Sequence, residues 1–320
     1  MDEVDLLVVG DVNPDVIVAG ADLVPTFGQA EQVVDRADLV VGGSATITAM
    51  GAARLGLAVD VCGVLGADPL GEFMTTQVSA RGVDMSRVRR DPSRPTGLSV
   101  ILDRGHDRAI LTAPGTIGAL TPDDLVSLPD RPARHVHVAS YFLMSAELRA
   151  ALPAQLARWR AAGATTSVDP NWDPAGEWAV ADLLAHTDVF LPNAAELRAV
   201  SGCADLADGL ADLAAQGCDV VVKVGGQGAA AHAFDGTTCV VAALPAPTFC
   251  DPIGAGDSFD AGYLTGWLAG ADLADSLRLA VAAGTLSTRA VGGTAAQPDR
   301  TEAQEWASRL VAGQGRGDLR

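Results

Sequence analysis

Short apolar runs rich in β-branched residues alternate with longer alanine- and leucine-rich stretches along most of the chain. The run at 6–9 stops at Gly10 and predicts a buried strand. Residues 44–55, dominated by alanine and methionine, predict a helix capped by Ser44. A strand follows over 59–64 and a helix over 71–81. From His135 the alternation is regular. Strands are predicted over 136–140, 165–169, 189–192 and 220–224, and helices over 145–162, 194–201, 256–268 and 273–290. Such alternation builds a mostly parallel sheet covered on both faces. Ligands in these sheets bind outside the carboxyl ends of the strands, where Asp11, Asp169, Asn193 and Gly225 fall. Segments 17–39 and 96–113 differ: they are strand-like and not interleaved with helices, and 98–102 with 108–112 reads as a hairpin. They predict a small β lid, from about 14–40 and 94–114, inserted in the α/β core. With no internal repeat or low-complexity linker, 1–320 reads as a single domain with a frayed tail over 313–320.

Charge and composition narrow the classes of partner. The 320 residues are 48% hydrophobic, which suits a globular chain. Forty acidic residues against 22 basic give a net charge of −18, a field that repels nucleic acid and anionic membrane. An anionic substrate would need a local positive site. Five scattered cysteines without a CxxC pair fit a reducing cytoplasm. The acidic start and its short apolar run do not read as a signal peptide, and no stretch is long and apolar enough to span a bilayer. The expected location is the cytoplasm.

The chemistry concentrates in Asp251-Pro-Ile-Gly-Ala-Gly-Asp-Ser-Phe259, which opens an apolar helix. A Gly-Ala-Gly turn there aims backbone N–H groups outward at the positive end of the helix dipole, which is an anion site. Asp257 lies in the first turn, beside the place an anion would dock, and suits a general base worth roughly 10²–10⁴-fold. The same residues also make an ordinary cap and turn. His135 and His137 share one face of a strand; no third ligand is evident, so they read as a structural pair.

The segment resembles the carboxy-terminal signature of the PfkB (ribokinase-like) family of carbohydrate kinases. The amino-terminal signature is similar to Gly42-Gly-Ser-Ala-Thr-Ile-Thr-Ala49. Further resemblances follow in order: Val64-Leu-Gly-Ala-Asp-Pro-Leu-Gly71, Leu191-Pro-Asn-Ala-Ala-Glu196 and Val221-Val-Lys-Val-Gly-Gly-Gln-Gly228. The resemblance implies a three-layer α/β/α sandwich and an ATP-dependent kinase acting on a hydroxyl of a sugar or sugar-like molecule. It implies Asp257 as base, with Gly254, Ala255 and Gly256 as the anion hole. It puts Asn13, Asp15, Gly42 and Gly43 on the substrate, with Asn171 a further candidate there, and Asn193, Glu196, Lys223, Gly225 and Gly228 on the nucleotide. It puts Mg²⁺ near Glu196 through water, and a monovalent cation such as K⁺ at Asp251 and the carbonyl of Ile253. It also implies a homodimer through the lid, as in some relatives. Plainer readings stand beside these. Asn13 and Asp15 suit a turn around Pro14, Asn193 and Glu196 a helix capping box, and Lys223 a snorkelling strand end.

The chain departs from the family pattern at four positions. Ile47 stands where an asparagine is usual, Ile117 where a Gly-Ala-Asn is common, Asp173 where many members carry arginine, and Pro252 for threonine. An unpaired substrate hydroxyl costs about 1–3 kcal/mol, so the acceptor is less hydroxylated, differently posed, or held by Asn171. A nucleoside kinase is the nearest alternative, since Ile47, Ile117, Phe142 and Trp172 suit a flat base. A nucleotide-binding sensor without turnover is another. Neither a GxGxxG fingerprint nor a GxxxxGK[ST] loop occurs.

Overall fold

A computed structural model describes residues 4–21, 23–104, 108–129 and 131–313. In chain order these form β1 (Leu6–Val9), β2 (Pro14–Ala19), β3 (Arg36–Val41), α1 (Ser44–Arg54), β4 (Val59–Gly66), α2 (Pro69–Ser79), β5 (Val88–Asp91), β6 (Leu98–Asp103) and β7 (Arg108–Ala113). Then come α3 (Pro122–Val126), β8 (His135–Val138), α4 (Ala146–Ala161), β9 (Thr165–Val168), α5 (Ala181–Leu184), β10 (Val189–Phe190), α6 (Ala194–Ser201), α7 (Leu206–Ala214) and β11 (Asp219–Lys223). The chain closes with β12 (Gly228–His232), β13 (Thr238–Ala242), α8 (Ala255–Leu268), α9 (Leu273–Ser287), α10 (Arg300–Ala307) and β14 (Ala312–Gly313).

Ten strands make one sheet in the order β14-β13-β12-β11-β10-β9-β8-β1-β4-β5. From β11 to β5 every pairing is parallel. The antiparallel β12, β13 and β14 extend one edge. Side-chain alternation splits the core between the two faces. Leu6 and Val8 pack toward α1, α8 and α9, while Leu7 and Val9 pack toward α4 and α7. This is the α/β/α sandwich. Gly313 does not fray: it pairs with Val240 in the edge strand, and the remainder of the anticipated tail, 314–320, lies outside the described residues.

A separate four-stranded sheet has the order β3-β2-β6-β7. Its Ile17 and Ile101 pack on Ile253, with Val40 and Val291 alongside. The alternate positions, Val16, Leu39, Val100 and Leu111, lie on the opposite face by the strand period.

β1 is bonded on one side to β4 and on the other to β8. The chain therefore leaves β1 in one direction and returns on its far side, which opens a crevice at the carboxyl ends of the strands. The amino ends of α1 and α8 meet there.

Candidate active site

Gly254 is the N-cap of α8, with φ 70. A Cβ on it would lie 2.5 Å from the Gly293 Cα and 3.1 Å from Ile47. Only glycine fits this left-handed, crowded turn. The Ala255 amide donates to the Pro252 carbonyl at 3.2 Å. Among the described residues, the amides of Gly254, Gly256 and Asp257 meet no protein acceptor. The turn thus presents unpaired donors at the positive end of a 14-residue helix.

Asp257 stands half-buried in the first turn. Its Oδ1 accepts the hydroxyl of Ser44, the first residue of α1. That changes the reading of Ser44: Gly43, which has no side chain to offer, occupies the N-cap, and the Ser44 hydroxyl does not cap α1. The Ser44 Oγ also accepts from Asn171 Nδ2 at 3.3 Å, and Asn171 Oδ1 accepts the Ser140 amide at 2.6 Å. Ser140 and Asn171 both adopt left-handed backbone, φ 56 and φ 54. Residues from three other segments are therefore chained to Asp257. Burial, and then the neighbouring Asp169, push its pKa up to about 7 against the pull of Ser44 and Lys223.

On one side of Asp257 lie Asn13, Asp15, Gly42 and Gly43. Asp15 and Asn13 are buried, at 7% and 2% exposure. The Asp15 carboxylate rests on Gly42 so closely that a Cβ there would be 2.2 Å from its Cγ. Asn13 Nδ2 donates to Asp15 Oδ1 at 3.2 Å, and the Asn13 Oδ1 has no partner. Burial, and then Asp11, push the Asp15 pKa up to about 7. Asp11 accepts the Ser44 and Ala45 amides, at 3.1 and 3.0 Å.

On the other side, Lys223, Gly225, Gly228 and Gly256 line one cavity of about 480 Å³ with Phe249, Pro252 and Thr288. Lys223 is the only lysine of the chain. It does not snorkel: its Nζ bonds Asp169 at 2.7 Å and Asp260 at 3.0 Å. Burial opposes its charge, but Asp169, Asp260 and Glu196 hold its pKa well above the usual range. The ammonium reaches within 3.9 Å of where a Gly256 Cβ would stand, directly under the helix tip. The carboxylate oxygens of Asp169, Asp257 and Asp260 lie within 4.8 Å of one another, with the Lys223 ammonium bonded between two of the three.

Asn193 bridges to Lys223 across the strand ends. It is also the cap of α6, accepting the Ala195 and Glu196 amides, while Glu196 accepts the Asn193 amide at 2.8 Å. The capping box is therefore present. Glu196 is nonetheless buried, and burial followed by Asp169 pushes its pKa up to about 7. Asp251 is buried too; its two oxygens accept the Ile253 and Gly292 amides at 2.8 and 2.9 Å.

The departures find structural places. Ile47 packs beneath the Gly254 and Gly293 turn. Asp173 is buried and accepts the amides of Ala175, Glu177 and Trp178, closing its own loop. His135 and His137 form a buried ladder with Thr165 and Ser167. Two contributors escaped the sequence reading: the Ser44 contact to Asp257, and Asp260. The second left a trace, a carboxylate one turn after Asp257 in an otherwise apolar helix.

An α/β/α sandwich thus carries, at its strand ends, a helix tip with unpaired amides beside a carboxylate. Residues 4–300 match the pfkB family carbohydrate kinase model, and the chain belongs to that family of phosphotransferases with alcohol acceptors. It is 33% identical to a fructokinase of Klebsiella pneumoniae over 82% of this chain and 90% of that protein. It is 30% identical to an ATP-dependent ribose-1-phosphate kinase of Halopiger xanaduensis, over 92% and 95%. Among solved structures, an E. coli chain described as a ribokinase II, in complex with ATP and Mg²⁺, superposes with a TM-score of 0.82 at 21% identity, covering 96% of this chain and 99% of that one. No described helix is long and apolar enough to cross a membrane.

Proposed function

We propose that the protein transfers the γ-phosphoryl group of ATP to a hydroxyl of a small sugar, with Asp257 accepting the hydroxyl proton. One observation carries this reading. A carboxylate tuned to about 7 shares a helix tip with the unpaired amides of Gly254, Gly256 and Asp257. A base of that pKa is half ionised near neutrality, and donors aimed at developing negative charge are each worth about 3–4 kcal/mol. Asn13, Asp15, Gly42, Gly43 and Asn171 would hold the sugar. Lys223, Gly225 and Gly228 would lie along the nucleotide. Ser44 orients the Asp257 carboxylate toward the incoming hydroxyl.

Glu196 and Asn193 fit a hydrated Mg²⁺, because Glu196 is a buried carboxylate whose bonds to α6 leave an oxygen to spare. Such an ion would neutralise charge on the phosphates. Asp251, buried and accepting two backbone amides, would hold a monovalent cation together with the Ile253 carbonyl. The four-stranded sheet would act as a lid that excludes water from the transfer. Its apolar outer face supports a homodimer through the lid.

The test is Asp257→Asn. Turnover, followed as phosphorylated sugar by mass spectrometry, should fall at least about 10³-fold, while ATP affinity by calorimetry stays within a few-fold. A variant that turns over like the parent would remove the mechanism.

A further inference from the structure

We infer that the acceptor is an uncharged, hydroxyl-bearing molecule, and that sugar phosphates and sugar acids are rejected. The inference rests on the phosphotransfer reading and deepens it. Three carboxylates, Asp11, Asp15 and Asp257, wall the acceptor side of the crevice. Among the described residues no arginine or lysine bonds Asp11 or Asp15. Lys223, the one lysine, is committed to Asp169 and Asp260 on the nucleotide side.

The arginines of the four-stranded sheet are placed away from Asp15. Asp15 pairs with Ser99, and Ser99 with Thr112, at one end of the four-stranded sheet. Arg36 and Arg108 lie at the other end, opposite Ala19 and Asp103. Four residues of strand separate the two ends, about 13 Å. Asp173, where an arginine would be common, is a buried acceptor of three backbone amides.

The hydrogen-bonding capacity agrees with the charge. The unsatisfied polar atom on this wall is an acceptor, Asn13 Oδ1, in a side chain 2% exposed. Asn13 Nδ2 is already spent on Pro14 and Asp15, and Asn171 Nδ2 has given one of its two N–H groups to Ser44. A wall of acceptors needs donors from its ligand. Hydroxyls supply them, whereas carboxylates and ionised phosphates have none. An anion here would also repel the carboxylates, and protonation of Asp257 in response would remove the base. Burial already holds Asp15 and Asp257 high before any ligand arrives.

The experiment is a turnover panel at pH 8 with the full chain and ATP. Fructose, ribose and adenosine represent neutral acceptors; ribose 1-phosphate, fructose 1-phosphate and 2-keto-3-deoxygluconate represent anionic ones. The best neutral acceptor should exceed the best anionic one at least about 100-fold in kcat/KM, about 2.7 kcal/mol at 1.36 kcal/mol per tenfold. In Asp15→Asn the gap should narrow about tenfold, because one repelling charge is gone. An anionic acceptor that matches or beats every neutral one overturns the inference while leaving phosphotransfer intact. Product from neither class overturns phosphotransfer itself, and the inference with it.

Discussion

Asp257 and Asp15 are costly residues, and the cost has a sign. The folded chain raises the pKa of each from 3.8 to about 7, so it binds their protons more tightly than the unfolded chain does. Their contribution to stability is fully present below about pH 3.8 and is lost as pH rises through 7. Asp257→Asn should therefore raise Tm by several degrees at pH 8 and by little at pH 4, measured by calorimetric melting. Activity runs the opposite way. With the carboxylate as base, kcat should fall about tenfold per pH unit below 7, read from a pH–rate profile with saturating substrates. Lys223 is the counterexample, a residue whose loss harms folding. Lys223→Met would strand Asp169, Asp260 and Glu196 without their cation, and breaking a buried pair costs about 3–5 kcal/mol. Urea unfolding near neutral pH would show it as a lower midpoint with an unchanged slope.

At the scale of elements, the amino end of α8 depends on one backbone conformation. Gly254→Ala would put a Cβ 2.5 Å from Gly293 at φ 70. We expect about 1–3 kcal/mol of destabilisation, and a drop in kcat larger than any rise in ATP KM, because the amides move. The sequence made this element legible, since a Gly-Ala-Gly turn running into an apolar stretch marks a helix start whether or not the tip binds an anion. It made α6 legible to the residue, because Asn193 and Glu196 spell a capping box. The short edge strands β12, β13 and β14 were not legible: alanine-rich Gly228–His232 carries weak strand propensity, and pairing, not propensity, places it. Nor was the Lys223 clamp. Its three members come from the residue after β9, from β11 and from α8, and no spacing along the chain connects residues brought together only by the fold. Ser44 misled for a related reason. A serine at a helix start reads as a cap, but Gly43 takes that place, and the hydroxyl is drawn instead to a carboxylate 213 residues away.

At the scale of the whole molecule, the four-stranded sheet sets an unresolved debt of apolar surface. Its inner face is covered through Ile17, Ile101 and Ile253. The outer face carries Val16, Val18, Leu39, Val100, Leu102 and Leu111 with no charged side chain among them, and Leu39 and Leu111 are 44% and 61% exposed. Contiguous apolar surface of this kind on a chain of charge −18 points to a partner. A second copy meets the requirement most directly, because one such face is its own complement under a two-fold axis. The net charge opposes that pairing at long range, so the dimer should tighten as salt screens the repulsion. Sedimentation velocity at micromolar protein should show a dimer that persists in 0.5 M salt, with Leu39→Asp/Leu111→Asp sedimenting as a folded monomer of unchanged circular dichroism. A parent protein that stays monomeric at every salt and concentration would remove the dimer. The apolar outer face would then call for a different occupant.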